Sequence, residues 1–315
     1  MFMRPSFRLV PDGTKFKFMN GRFLGLAFSA ILSTLSVALF FYPGLNLGLD
    51  FKGGIVLEVR TPAPANFNQI RKALADKGVA NAEVQRFGAD TEVLVKLEIQ
   101  KTEAATQNTI DTARAAIEAS SPGTKVMRAD AVGASVSKEL FRNGLLALGI
   151  SLAMILVYIW FRFEWEFAAG AVITLILDVT KTIGFLVITR MEFDLVMVAA
   201  ILTIIGYSTN DKVVVYDRMR ENLRKYKTMP LRELIDLSIN ETLSRTIATS
   251  STVFLAALPL ALFGGASLAA FAWTMLFGIV VGTTSSIFIA APILLLLGEH
   301  RLRRDILPAK PVKKT

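Results

Sequence analysis

The chain has 315 residues, of which 53% are hydrophobic and 19% are charged; its net charge is +9 and its mean hydropathy is +0.49. Soluble domains have about 25% charged residues, so this balance indicates a membrane protein. The complete absence of cysteine excludes disulfides, thiolate catalysis and Cys-ligated zinc or iron–sulfur sites.

Six apolar segments are long enough to cross a membrane as helices, since a hydrocarbon core of roughly 30 Å requires about 20 mostly apolar residues. After an N-terminal tail of 1–22, the predicted spans are 23–42, 144–161, 167–189, 195–216, 246–263 and 268–297. The last two separate at Gly264-Gly265, because paired glycines favour a turn. We therefore expect a polytopic α-helical membrane protein with six transmembrane helices, the last five within 144–298.

The basic residues favour one orientation of these spans. Segment 43–143 has 13 basic and 12 acidic residues, so the positive surplus lies elsewhere. It lies in tail 1–22, in the predicted loop 217–244 and in the basic tail 299–315, which contains the only histidine, His300. Both termini and the loop are therefore predicted to be cytoplasmic, with 218–227 near anionic membrane lipids. This dispersed charge does not predict the single basic face of a nucleic-acid-binding domain.

Segment 43–143 is predicted to form one small extracytoplasmic domain between the first two spans. Its patterns predict strands and helices in the order βαββαβ, over 55–60, 67–77, 83–87, 92–99, 103–119 and 125–132. This order is typical of an α+β ferredoxin-like fold, which has many functions. The glycine motif at 48–54 (GLDFKGG) lacks the ending of a phosphate-binding loop. From its pattern alone, we interpret it as a structural turn.

Charged residues inside the predicted spans are the candidate functional residues, because each costs about 2.5–3.5 kcal/mol at the bilayer centre. The third span contains Asp178 and Lys181, whose spacing lets them pair on one helix face, which favours a structural role. The fourth contains Asp211 after a polar run at 207–210, and the fifth begins near Arg245. The predicted topology places Asp211 and Arg245 at similar depth.

Two interpretations of Asp211 and Arg245 are open. In a proton relay, the carboxylate changes its protonation state as the guanidinium approaches or withdraws. Alternatively, the two form a permanent ion pair between packed helices. The residues expected to support a relay are Ser208, Asn210, Thr249, Asp178 and Lys181.

The chain resembles the SecD/SecF family, and especially its SecF members, which work beside the bacterial Sec protein-translocation channel. The resemblance covers nearly the whole chain and rests on segments 48–54, 206–211, 217–222 and 240–246, in that order. It implies the membrane architecture of the resistance-nodulation-division (RND) transporters. It also implies that Asp211 and Arg245 match the family's essential transmembrane Asp and Arg. The residues that it implies as a family signature are Gly48, Asp50, Phe51, Gly53 and Gly54.

The resemblance further implies a function in protein export. With SecD, such a subunit is expected to use the proton motive force to promote late-stage translocation of unfolded preproteins through the SecYEG channel, after the ATPase SecA has acted. YajC and YidC are further expected partners, and the expected localisation is the bacterial inner membrane. No enzymatic activity, nucleotide site, metal or cofactor is expected.

The coupling ion is expected to be H⁺, with Na⁺ left open. Family members often have a histidine before the aspartate of the third span, whereas this chain has Leu177 before Asp178. Any role of that histidine is therefore absent here. Lys181 and Lys212 are also less usual for the family.

Two other functions stay open from the sequence. One is a subunit of an RND-type efflux transporter for small molecules or lipids, although the domain at 43–143 is small for a substrate-binding porter. The other is a passive scaffold of the translocase, in which the buried charges only stabilise helix packing.

Overall fold

The computed structural model describes residues 10–11, 13–79, 81–100 and 102–298. The predictions for tail 299–315 with His300, and for 1–9 of the N-terminal tail, lie outside these residues. The first half contains α1 (Arg22–Phe41), β1 (Asn46–Leu47), the single turn α2 (Leu49–Lys52), β2 (Gly54–Arg60), α3 (Phe67–Asp76), β3 (Glu83–Phe87), β4 (Ala89–Leu97), α4 (Glu103–Ser120) and β5 (Lys125–Val132).

The second half is almost entirely helical. It contains α5 (Ala134–Arg162), α6 (Trp165–Thr189), β6 (Glu192–Phe193), α7 (Leu195–Lys225), α8 (Leu231–Phe263) and α9 (Gly265–Ser285), which continues through a π-helical segment (Ser286–Ala290) into α10 (Ala291–Gly298). Six helices in the described ranges are long and apolar enough to span a membrane. The chain is therefore a multi-pass helical membrane protein, as predicted.

Strands β2 to β5 form one antiparallel sheet in the order β3–β4–β2–β5, and we call residues 54–132 the sheet domain. Helices α3 and α4 pack on one face of this sheet. The buried core joins Ile55, Leu57 and Val59 of β2 to Ile70 and Leu74 of α3 and to Ile110 and Ile117 of α4. The order of its elements is βαββαβ, in agreement with the sequence pattern.

Three helices extend beyond the apolar runs that predicted them. Helix α5 begins at Ala134, directly after β5, and α7 and α8 continue far past the predicted spans. Most of segment 217–244, which was predicted to connect two spans, is helical, and only 226–230 is non-helical there. Polar contacts hold the extended ends together: Arg218 Nε lies 2.7 Å from Glu241 Oε2, and Asn222 Nδ2 donates to Ser238 Oγ at 3.0 Å.

Helix α7 lies at the centre of the bundle, where it contacts α5, α6, α8 and α9. Two glycines bring α9 close to it. A Cβ at Gly278 would collide with the side chain of Ile204, and a Cβ at Gly282 would lie 3.1 Å from Ser208 Cβ. Only small residues therefore permit this contact, which places the polar residues of α9 next to those of α7.

Candidate functional site

Asp178 and Asp211 are buried within the helical bundle, as is Glu166 in the first turn of α6. Asp178 of α6 has 1% of its surface exposed and Asp211 of α7 has 3%. Both are residues that the sequence identified from the cost of placing charge in a membrane. Their surroundings differ, and this difference separates their chemical possibilities.

Asp178 lies against two ammonium groups. Its Oδ2 is 2.9 Å from Lys212 Nζ and its Oδ1 is 3.5 Å from Lys181 Nζ. Hydroxyl groups of Ser208 and Ser285 also donate to Oδ2, at 2.7 and 2.6 Å. The cluster joins α6, α7 and α9 through charge-assisted hydrogen bonds, and its lysines and carboxylate are almost fully buried.

Two features of this cluster differ from the sequence-based expectation. Lys212 was not predicted as a partner of Asp178, and Ser208 was expected to support Asp211. Ser208 and Lys212 are four residues apart, so they share one face of α7, which is turned toward Asp178. That i, i+4 spacing is the signal that could have identified them as one group.

Asp211 is surrounded by hydroxyl groups instead. Thr283 Oγ1 of α9 donates to Asp211 Oδ2 at 3.4 Å, and Thr283 Oγ1 lies 2.7 Å from Ser250 Oγ of α8. Within the described ranges, no Lys or Arg nitrogen lies within 4.0 Å of the Asp211 carboxylate. A chain of two hydroxyls and one carboxylate therefore connects three helices.

This hydroxyl chain ends at a cavity of about 430 Å³ between α8 and α9. Ser250 and Thr283 line the cavity together with Phe254, Leu255 and Val280, so its walls are mainly apolar. These two hydroxyl groups of the cavity wall lead to Asp211, because Thr283 contacts its carboxylate.

Among the residues that the structure describes, no cluster of three or more acidic, His or Cys side chains could hold a metal ion.

The structure does not bring Arg245 into contact with Asp211. The Arg245 side chain is exposed on α8, and in the described part of the chain it makes no side-chain hydrogen bond or ion pair. Ser250, which faces Asp211 through Thr283, lies five residues later and therefore about 140° around the helix. The two charges still have similar depth, since Asp211 lies about 24 Å from the start of α7 and Arg245 about 27 Å from the end of α8.

The other predicted supporting residues also lie away from Asp211. Asn210 is exposed, about 100° around α7 from Asp211. Thr249 Oγ1 donates to the carbonyl of Arg245 in its own helix, at 2.9 Å, while its own carbonyl accepts from Tyr207 OH at 3.0 Å. Tyr207 therefore connects α7 to α8 near the candidate site.

The glycine motif at 48–54 contacts the beginning of α7. Gly48 N–H donates to the carbonyl of Phe193 at 2.9 Å, and Asp50 Oδ2 accepts from the backbone N–H of Leu195 at 3.1 Å. Asp194, the N-cap of α7, accepts from Met197 N–H at 2.9 Å. Burial raises the pKa of the Asp194 carboxyl; the Met197 N–H opposes this rise and the neighbouring charge of Asp50 adds to it.

The remaining residues of the motif contact α5, β6 and β4. The ring of Phe51 lies 5.3 Å from that of Phe141 in α5 and 5.5 Å from that of Phe193. Gly53 and Gly54 have φ values of +71° and +134°, and a Cβ on Gly54 would lie 3.0 Å from the carbonyl oxygen of Leu97 in β4. The sequence predicted a turn here but not its contact with α7, because the Asp50–Leu195 bond joins residues 145 positions apart.

Comparison with known proteins agrees with these features. The family described as "Protein export membrane protein SecD/SecF, C-terminal" matches residues 112–300, and the "SecD/SecF GG Motif" family matches residues 38–61. The protein translocase subunit SecF of Rickettsia akari is 42% identical over 301 residues, which cover 95% of this chain and 97% of that protein. The SecF subunit of Rickettsia prowazekii is 40% identical over 301 residues, covering 95% and 96%.

Two crystal structures of SecDF are also similar. The translocon-associated SecDF of Thermus thermophilus is 33% identical with a TM-score of 0.83, covering 93% of this chain and 40% of that one. SecDF in a super-membrane-facing form is 32% identical with a TM-score of 0.69, covering 96% and 41%. This chain therefore spans about two fifths of those SecDF chains but nearly the whole length of the Rickettsia subunits. The chain belongs to the SecD/SecF family, and within that family it is similar to the SecF subunits.

Proposed function

We propose that this chain is a subunit of the bacterial Sec protein-export machinery that uses the proton motive force, together with a SecD-type partner, to promote late-stage translocation of preproteins. Family membership supports the export function, because the full-length relatives are named protein translocase subunits. The observation that carries the coupling mechanism is the contrast between Asp178 and Asp211. Among the residues that the structure describes, Asp178 has two ammonium partners, whereas the partners of Asp211 are hydroxyl groups.

Hydroxyl partners suit a group that changes its protonation state. A threonine hydroxyl can donate to a carboxylate and, after rotation, accept from a carboxylic acid. A lysine ammonium can only donate, so its partner is held in the charged form. Asp211 is thus the carboxyl group for which both protonation states can be accommodated without breaking an ion pair.

The hydroxyl chain supplies a route to this carboxyl group. Ser250 and Thr283 both line the cavity between α8 and α9, and Thr283 already contacts Asp211, so a proton that enters the cavity can reach the carboxyl group through these hydroxyls. One charge that crosses a membrane potential of 100 mV releases about 2.3 kcal/mol. Repeated transfers can therefore favour outward movement of an unfolded chain without a nucleotide site in this subunit.

Arg245 and Asn210 provide the argument for a partner. Both side chains are exposed at the surface of the bundle, Asn210 within the predicted span 195–216 and Arg245 directly before the span 246–263, where contact with lipid would be costly. A SecD-type membrane partner that covers this surface would remove the cost. It would also supply polar groups that let Arg245 act on Asp211 by approaching or withdrawing.

We also propose an orientation and a fold for the sheet domain. Its sheet order β3–β4–β2–β5 supports the ferredoxin-like assignment, and the distribution of basic residues places the domain outside the cytoplasm with both termini inside. The two SecDF structures match at 33% and 32% identity but with TM-scores of 0.83 and 0.69. This difference supports a family in which more than one conformation is stable.

Thr283→Val is expected to reduce export driven by the proton motive force by about tenfold, because valine keeps the volume of threonine but removes its hydroxyl from the chain. The measurement is preprotein translocation in membrane vesicles, with and without an uncoupler. Thr203→Val is the matched control: Thr203 is exposed on α7, does not line the cavity, and its hydroxyl donates to the Ala199 carbonyl in its own helix. Equal uncoupler sensitivity in the two variants would contradict this route.

A further inference from the structure

The glycine motif lies where the sheet domain meets the helix that carries Asp211. We propose that this motif is the mechanical connection between them, with Asp50 as the positioning residue that attaches the motif to α7. The inference rests on the proposed function, since it concerns how a change at Asp211 reaches the sheet domain. Its evidence is the set of contacts that the motif makes with α7, α5 and the sheet.

The contact of Asp50 with α7 is not needed to begin that helix. The first N–H groups of a helix have no partner inside the helix, and one side chain usually satisfies one of them. Asp194 already does so as the local N-cap, by accepting from Met197 N–H. Asp50 reaches a second such group, that of Leu195, from a distant part of the sequence. Its effect is therefore to hold the motif on the end of α7.

Two further contacts reinforce this attachment. Strand β1 pairs in parallel with β6, with Asn46 opposite Glu192, immediately before α7. Gly48 follows β1 directly, and a Cβ there would lie 3.1 Å from Asp194 Cβ. A side chain at this position would push the motif away from the helix, which explains why glycine occupies it.

Helix α7 can transmit a displacement along its length. It is continuous from Leu195 to Lys225 and contains no proline, so the 16 residues from its start to Asp211 form a rod of about 24 Å. One hydrophobic cluster joins Phe51 of the motif to Met197, Ile201 and Ile205 of α7. The motif therefore packs as one body with α7, on the face that continues to Ser208 and Lys212, and α7 also carries Asp211.

The other end of the motif continues into the interior of the sheet. Gly54 is the first residue of β2, which is paired on both sides, with β4 and with β5. The close approach of Gly54 to Leu97 fixes this junction. A shift or tilt of α7 is thus passed through Asp50 and Gly54 to a central strand of the sheet domain.

A cysteine pair in a chain that has no cysteine tests this connection. Asn46→Cys and Glu192→Cys lie on register partners in adjacent strands about 4.8 Å apart, which suits a disulfide. Glu192→Cys also removes the ion pair with Lys96 and the hydrogen bond from Gln85, so the reduced cysteine pair with Asp50 intact is the baseline for every comparison. Asp50→Ala alone is expected to lower proton-driven export about fivefold in assembled complexes. In the same variant, oxidation of the cysteine pair is expected to restore most of the export, and reduction to remove it again.

Three controls accompany this experiment. Asp50→Asn keeps an oxygen that can accept from Leu195 N–H and is expected to retain most of the export. Asp76→Ala makes the same change at an exposed position of the sheet domain and is expected to have no effect. The rate of disulfide formation with Asp50 intact is expected to be the same with and without a membrane potential, and this measurement does not depend on the folding of Asp50→Ala.

Two results would overturn the proposal. One is a disulfide that forms fully but restores no export to Asp50→Ala. The other is a disulfide that stops export while Asp50 is intact, because the motif would then have to leave α7 during the cycle. Asp211→Asn, measured in parallel, separates the two proposals: if it keeps full proton-driven export, the proposed function fails, whereas failure of the disulfide rescue alone contradicts only the mechanical connection.

Discussion

Asp211→Asn is expected to abolish the stimulation of preprotein export by the proton motive force, with a loss of at least about tenfold in the proton-driven component. Asparagine has nearly the same size as aspartate, and its amide oxygen can still accept the hydrogen bond from Thr283. It cannot bind and release a proton. The variant therefore removes the proposed chemistry while preserving the packing among α7, α8 and α9.

The measurement is translocation of a preprotein in vesicles with a defined membrane potential and pH gradient. The matched control is Asp111→Asn, which makes the same chemical change at an exposed position of α4 in the sheet domain. The amount of assembled complex is quantified for both variants. If Asp211→Asn and Asp111→Asn respond equally to an uncoupler, Asp211 is not the coupling group and the buried charges act only in packing.

Asp178→Asn is expected to destabilise the folded protein by about 3–5 kcal/mol, because it removes the counter-ion of two buried ammonium groups. Lys212 and Lys181 are only 1% and 4% exposed, so water cannot replace the lost carboxylate. The expected readout is a large decrease in thermal stability in detergent and in the amount of folded chain. Asp217→Asn, at the more exposed pair with Arg162, is the control and should change stability by only about 0–1 kcal/mol.

A double variant tests whether Asp178 and Lys212 act as a pair. Adding Lys212→Met to Asp178→Asn is expected to restore part of the stability, since it removes one uncompensated charge, and the coupling between the two changes should be about 0.5–3 kcal/mol. Lys181→Met should cost less than Lys212→Met, because its ammonium lies farther from the carboxylate, at 3.5 rather than 2.9 Å. A stable Asp178→Asn variant that loses only proton-driven export would instead place Asp178 in the relay.

The sequence was most informative about the secondary-structure elements and about which charged residues are costly to place in a membrane. Long apolar runs identified the six helices, and the residue patterns identified the order of strands and helices along the chain in the sheet domain. The ends of α5, α7 and α8 were not predicted, because polar residues outside an apolar run can still form helix when they pair across two helices, as Arg218 and Glu241 do.

The arrangement of the candidate site was less predictable. Hydropathy gives the depth of a residue in a span but not the rotation of its helix, so Asp211 and Arg245 were placed at one depth without knowledge of their directions. The partners of Asp211 and Asp178 on α9, Thr283 and Ser285, became evident only from the close approach of α9 to α7 that Gly278 permits. The role of Asp50 was also not predictable, because its contact with Leu195 joins segments that are far apart in the sequence.

The unbroken helix α5 has a consequence for the position of the sheet domain. Its 29 residues are about 43 Å long, which exceeds the thickness of the hydrocarbon core, about 30 Å. The first turns of α5 therefore form a pillar that stands above the lipid and carries the sheet domain. Gly133, which joins β5 to this pillar, has open space around its Cα, so it can act as a pivot.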